Sequence, residues 1–221
     1  MSQQCKESIT CPKCQSKGDF VYWSSINVDL DPEMKEKILN EEIFKWTCPH
    51  CGTTIFINYG TLYHDMSHRF MIFYAPKEQD DKKREPVEVP KAFGLEKDYS
   101  FREVNDLLLF KEKIMIVDSG LNDIAVEKLK YTLTHHMDSS FAEKGVELFF
   151  MGVTPPDKEN KYGQITFYCK MPGSEKMSPI ALPMQRYYDM CLSLELDKRF
   201  QFEGLLCVDQ EWVSQKMKGV E

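Results

Sequence analysis

The spacing of apolar and polar positions changes several times along the chain, and each change predicts a different kind of element. Around residues 9–28, β-forming residues such as Phe20-Val21-Tyr22-Trp23 predict strands on either side of a turn at Cys11-Pro12-Lys13-Cys14. Asp31-Pro32-Glu33 predicts a helix start, because Asp31 can cap, Pro32 suits the first helical position and Glu33 favours the positive end of the helix dipole. Met34 and Ile38 then give that short helix, over Pro32–Asn40, one apolar stripe that Ile43 extends. Phe44-Lys45-Trp46 leads into Cys48-Pro49-His50-Cys51-Gly52, and the strand-like Ile55-Phe56-Ile57 and Phe70–Tyr74 follow.

Residues 76–99 change character, with prolines and a glycine set among many charges, and predict a linker or a long exposed loop. Ser100-Phe101-Arg102-Glu103 has the capping-box pattern, so a helix is expected to run on through Val104, Leu107, Leu108 and Lys111 and to end at Ser119-Gly120. Asn122 or Asp123 starts the next helix, with Ile124, Leu129 and Leu133 as its buried side, and an antiparallel helical hairpin results. Val146–Val153 and Gln164–Lys170 read as a β-hairpin around Pro155-Pro156-Asp157. Met184–Leu194 reads as a helix, Leu205–Val208 as a buried strand, and Asp209 as the cap of a last helix through Lys218.

These elements imply an α+β protein: an N-terminal zinc ribbon with an inserted helix, a helical hairpin and a C-terminal α+β unit. The expected segments are a ribbon-like domain over 1–75, a charged linker over 76–100, the hairpin over 101–145 and the last unit over 146–221. Hydrophobic residues make up 42% of the 221, which suits a packed core. The net charge of −7 is spread along the chain and repels a phosphate backbone, so broad electrostatic binding to nucleic acid is disfavoured. The basic run Lys82-Lys83-Arg84 is flanked by Asp80, Asp81 and Glu85 and reads as a solvated loop. No secretory signal pattern opens the sequence and no segment is apolar enough to span a bilayer, so no membrane role is expected and the cytosol is the default compartment. Thiols stay reduced there, and 8 cysteines then point to metal or catalysis before disulfides.

Two Cys-Pro-X-Cys pairs stand 33 residues apart, and the inserted helix accounts for that long gap. Each turn lets two sulfurs point at one ion while its backbone N–H groups donate to the thiolates. Cys11, Cys14, Cys48 and Cys51 are thus candidate ligands of one structural zinc, bound at about 2.3 Å in a closed tetrahedron with no position left for water. Iron in a rubredoxin-like site is a chemical alternative. A sharper rival is redox chemistry, since Cys48-Pro49-His50-Cys51 is also the tetrapeptide of strongly oxidising thioredoxin-like enzymes. Those place the first cysteine at a helix N-terminus, whereas Gly52-Thr53-Thr54-Ile55 here reads as strand. Gly52 permits the tight backbone after the second pair, and Gln15 lacks that freedom after the first. Cys5 reads as a free surface thiol, and Cys169, Cys191 and Cys207 as small apolar residues.

His64-Asp65-Met66-Ser67-His68 sets two imidazoles four apart, on one face if the segment is helical, and makes a metal-dependent hydrolase or nuclease using His64, Asp65 and His68 the alternative function. The glutamate of a His-Glu-X-X-His protease is missing, and the plainer reading is that Asp65 caps a turn while the histidines bond locally. His135-His136 suits a helix C-terminus. Asp118, Asp123 and Glu127 could hold magnesium, but helix caps and a solvated face are the simpler expectation. The aromatic strand Phe70–Tyr74 offers either a stacking platform or alternating core residues.

Taken together, the two cysteine pairs, Ser25-Ile26-Asn27 with Asp31-Pro32, Leu62-Tyr63-His64-Asp65, Glu112-Lys113-Ile114 and Gly120-Leu121-Asn122-Asp123 resemble the CpXC domain family of bacteria and archaea. The resemblance covers about the first 130 residues. It implies a prokaryotic origin and a zinc-ribbon-like start, and it brings no activity with it. Where the family has two aspartates after the glycine-leucine, this chain has Asn122-Asp123, which takes one carboxylate from any paired-carboxylate chemistry there. The function expected is a protein-interaction or adaptor module of the cytosol, held together by zinc, with a protein as its partner.

Overall fold

A computed structural model describes residues 2–76, 99–137, 141, 143–174, 176–201 and 205–218. The chain divides into two compact units, one of Met1–Lys111 with Gly204–Leu206 and one of Glu112–Glu203 with Cys207–Glu221. Helices and three sheets mix in it, as the α+β expectation requires. Among the described residues, no helix is long and apolar enough to cross a membrane.

In the first unit, strands β1 (Gln3–Thr10) and β2 (Lys17–Asn27) pair antiparallel around the first cysteine turn. Helix α1 (Glu33–Leu39) follows and buries Met34 and Ile38, the stripe expected of it. Strands β3 (Lys45–Thr47) and β4 (Thr54–Phe56) pair antiparallel around the second cysteine turn. Strands β5 (Thr61–Asp65), β6 (Phe70–Tyr74) and β7 (Ser100–Val104), with a short β11 (Leu205–Leu206), extend the first pair into a six-stranded sheet of order β1-β2-β5-β6-β7-β11. Phe44, Tyr59, Tyr74 and Phe110 form the aromatic centre, with Tyr74 stacked on Phe110 at 4.9 Å between centroids. Strand β6 belongs to this interior and is no stacking platform, since Phe70, Met71, Ile72 and Tyr74 are all buried.

The capping box at Ser100–Glu103 does not start a helix. Those residues pair with β6 in parallel, from Phe70 opposite Ser100 to Tyr74 opposite Val104. Phe101 and Val104 are buried by that pairing, and the gain from a whole strand outweighs a local cap. Helix α2 (Leu107–Asp118) begins later, where Asp106 Oδ1 accepts the N–H groups of Leu108 and Leu109 at 2.8 and 3.1 Å. Residues 77–98 of the expected linker, with the run Lys82-Lys83-Arg84, lie outside the described residues.

In the second unit, helix α3 (Asp123–Thr132) is capped by Asn122, whose side chain accepts from the N–H groups of Ile124 and Ala125. Strands β8 (Glu147–Thr154), β9 (Gln164–Lys170) and β10 (Met177–Pro183) form an antiparallel sheet of order β10-β9-β8. Its inner face packs Leu148, Phe150, Ile165 and Phe167 against Val126 and Leu129 of α3. Helices α4 (Gln185–Leu196) and α5 (Gln210–Lys218) complete the unit, and Asp209 caps α5 by accepting the Trp212 N–H at 2.8 Å. Strand β10 escapes a reading of the sequence because Pro179 and Pro183 lack N–H groups. It is tolerated at the sheet edge, where a missing donor breaks no ladder on the open side.

Candidate metal centre

Both cysteine turns are built on one backbone plan. The Cys11 N–H donates to Ser16 O and the Gln15 N–H to Cys11 O, each at 2.9 Å; the Cys48 N–H donates to Thr53 O and the Gly52 N–H to Cys48 O at the same distance. Each turn closes with a residue of positive φ, +61° at Gln15 and +69° at Gly52. Glycine enters that region without a Cβ clash, whereas glutamine does so at a cost of about 1–2 kcal/mol. Gln15 recovers part of it by donating from Nε2 to Pro12 O at 3.2 Å.

The two hairpins meet where β2 begins. Trp46 of β3 lies under Gly18 and donates from Nε1 to Asp19 O at 2.9 Å. A Cβ on Gly18 would stand 2.7 Å from Trp46 Cζ2 and 3.2 Å from Pro49 Cδ, so the close approach of the hairpins depends on its absence. Gly18 and Trp46 are the functional positions that sequence reasoning missed, since a lone glycine after a turn carries no signal of what packs on it.

This docking brings the sulfurs of Cys11, Cys14, Cys48 and Cys51 within 4.8 Å of one another. Cys11 Sγ stands 3.6 Å from Cys51 Sγ, and Cys14 Sγ 3.7 Å from Cys48 Sγ. Those gaps are far longer than a disulfide bond of about 2.05 Å. They match the edge of about 3.8 Å in a tetrahedron with arms of about 2.3 Å, so the residues fit a metal such as zinc. Cys11 and Cys48 are buried, while Cys51 is half-buried and Cys14 reaches the surface.

The thiols differ in acidity. Burial pushes Cys48 up to about 11, and the hydroxyl and N–H of Thr53 hold Cys51 down to about 6. The Ser16 N–H and hydroxyl lower Cys14. Metal binding needs thiolates, so these turn donors ease the proton loss that coordination requires. In the thioredoxin-like rival the acidity of the first cysteine would come from a helix N-terminus. Here the second pair lies between strands β3 and β4, and the acidified thiol is the later Cys51. The redox reading therefore loses its geometric basis.

The structure separates the two histidines proposed for the alternative site. His64 lies in β5, with Nε2 at 3.1 Å from the Tyr99 hydroxyl and Nδ1 at 3.5 Å from Asn27 Nδ2. His68 lies in the turn that follows β5, where Asp65 Oδ1 accepts its N–H and faces its Nδ1, both at 2.9 Å. The segment is a strand and a turn and not a helix, so the two imidazoles do not share a helical face. Among the described residues, the four cysteines are the one group of three or more His, Cys, Asp or Glu whose ligand atoms converge, and His64, Asp65 and His68 form no such group. His50 is exposed and outside the cluster, and Cys5, Cys169, Cys191 and Cys207 also lie outside it. His135 stacks on Tyr131 at 4.0 Å in the π-helical turn Leu133–Met137 that ends α3, as its expected place near a helix C-terminus implies.

Asp123 and Glu127 overturn the expectation of helix caps and a solvated face. Both are buried, with Lys113 Nζ 3.3 Å from Asp123 Oδ2 and 3.1 Å from Glu127 Oε1. The cap of α3 is Asn122 instead, and Asp118 lies exposed outside the cluster.

A family profile described as CpXC protein matches residues 9–130. No curated protein and no solved structure matches the chain.

Proposed function

The chain belongs to the CpXC family, and from that premise we propose that it is a structural zinc protein whose ribbon serves as a protein-interaction module in the cytosol. The observation that supports the metal is the convergence of four sulfurs, delivered in pairs by two hairpin tips, at separations suited to one tetrahedral ion. Cys11, Cys14, Cys48 and Cys51 would hold it. Four thiolates fill the coordination sphere, so the zinc supplies cross-linking and no activated water. Its work is to fix the β3–β4 pair, whose strands are too short to be stable alone, against β1–β2.

The interaction role has its own support. Among the described residues, β1 stands at the end of its sheet order with a strand on one side only, and Val21 and Phe56 are large apolar side chains exposed on the hairpins. The net charge of −7 favours a protein partner over nucleic acid.

Metal analysis of the purified chain tests the first part: about one zinc per chain with four protected thiols is expected, and two reactive thiols in an unmetallated Cys48–Cys51 pair would end it. Affinity capture tests the second. The zinc-loaded chain should retain a protein at stoichiometric level and Cys48→Ser should lose it. Failure of both forms to retain one would remove the adaptor role and leave the metal assignment standing.

A further inference from the structure

The four sulfurs of the metal centre are not equally open to solvent. Cys11 is 0% and Cys48 1% exposed, whereas Cys51 is half-buried and Cys14 is exposed. Each hairpin thus gives one inner and one outer sulfur. The turns account for this. The first cysteine of each pair has its N–H and C=O tied across the turn, Cys11 to Ser16 and Gln15 and Cys48 to Thr53 and Gly52, while the second lies within the turn. Cys14 is the more open of the two outer positions, since residues 12–15 are all exposed.

The sulfurs also pair across the hairpins. Cys14 Sγ stands 3.7 Å from Cys48 Sγ, and Cys51 Sγ 3.6 Å from Cys11 Sγ, so each outer sulfur has the inner sulfur of the other hairpin beside it. Zinc has no redox chemistry of its own, so an oxidant that meets such a centre reacts with sulfur. Which sulfur reacts first depends on thiolate character and on access. All four ligands are thiolates, and access then decides.

We propose that Cys14 is the modification site of this centre: a peroxide oxidises it first, Cys48 closes on it, and the disulfide so formed releases the ion. This rests on the zinc reading above. In the first step the Cys14 thiolate attacks the peroxide; a sulfur–oxygen bond forms, the O–O bond breaks and hydroxide leaves a sulfenic acid behind. In the second the Cys48 thiolate attacks that sulfur; the disulfide forms, the sulfur–oxygen bond breaks and a second hydroxide leaves. The two sulfurs together give up the two electrons that the peroxide accepts. The gap has to close from 3.7 Å to about 2.05 Å, a movement of two hairpin tips towards each other. Cys11 and Cys51 alone remain as ligands, half of the set that a closed zinc site needs. One covalent bond still joins the hairpins, which keeps the sulfurs together for reduction and reloading. The partner-binding form of the ribbon thereby becomes responsive to peroxide.

Hydrogen peroxide added to the purified, zinc-loaded full chain tests the proposal. Released zinc is followed with a coloured chelator, and sulfenic acid is trapped with a dimedone-type reagent and mapped by mass spectrometry. Among the four cysteines the label should appear first at Cys14, a Cys14–Cys48 linked peptide should follow, and zinc should leave in step with it. A thiol reductant with added zinc should restore the starting state. Cys14→His leaves three cysteines and one histidine, a set that also holds structural zinc, and its zinc release should slow several-fold. Cys51→His keeps Cys14 and should release zinc as fast as the native chain. The proposal is overturned if another of the four is labelled first, if zinc leaves without the Cys14–Cys48 link, or if Cys14→His releases zinc as fast as the native chain. Should Cys14→His fail to hold zinc, the label and the linked peptide of the native chain decide. A chain purified without zinc ends the zinc reading and this proposal with it, whereas a zinc-loaded chain that fails the peroxide test ends this proposal alone.

Discussion

In the first unit four sulfurs meet because two short turns deliver them in pairs; in the second, five charged side chains (Glu112, Lys113, Asp123, Glu127 and Lys130) meet because residues of α2 and α3 are buried on one another. Each turn needs only five or six residues to set its pair, and docking at Gly18, where Trp46 and Pro49 pack, brings the pairs together. The ion chain has no such local unit, since its bonds span from 3 to 18 positions and depend on the surrounding core. The difference shows where a cluster's stability comes from. A thiolate cluster gains its energy from the ion it holds. A buried ion chain costs desolvation at every member, so it survives only where apolar packing already excludes water.

The largest expected effect separates the units. Cys48→Ser should abolish stoichiometric metal binding and unfold the two cysteine hairpins, in line with the ~10–16 kcal/mol that structural zinc supplies to small domains. Hydrogen exchange should show protection lost over residues 9–56 and kept in α3, β8 and β9. Loss of protection in both regions would break the contrast.

Next comes the ion chain. Glu127→Ala leaves both Lys113 and Lys130 short of a buried partner and should cost about 3–5 kcal/mol by denaturant unfolding, with zinc content unchanged. A loss below about 1 kcal/mol would place Glu127 with solvated pairs instead.

Gly18→Ala is a smaller perturbation aimed at hairpin docking. Its Cβ would press on Trp46 and Pro49, and overpacking of that kind costs about 1–3 kcal/mol. A chelator competition assay should show faster metal loss than in the native chain.

The smallest effect compares the two turns with each other. Gln15→Gly relieves a positive φ and should gain up to about 1 kcal/mol, while Gly52→Gln should lose a similar amount. Opposite signs in paired chelator assays support one shared turn geometry, and equal signs contradict it.

What could be read from the sequence follows the same division. The cysteine pairs, α1 with its Met34–Ile38 stripe, the β8–β9 hairpin and the caps Asn122 and Asp209 are local signals, each set by residues close in sequence. Ser100–Glu103 misled because its capping pattern is local while its parallel partner β6 is remote. Asp123 and Glu127 looked solvated because charge on a helix usually faces water. Nothing nearby in sequence announces that Lys113 will sit opposite them. β10 hid behind its prolines, and Gly18 behind the neutrality of a single glycine.

The central claim is one tetrahedral ion shared by both turns, and X-ray absorption at the zinc edge of the purified chain tests it most directly. The account predicts one zinc per chain with four sulfur neighbours at about 2.3 Å and no oxygen or nitrogen in the first shell. A shell of two sulfurs completed by lighter atoms would show that the turns do not share an ion, and would contradict it.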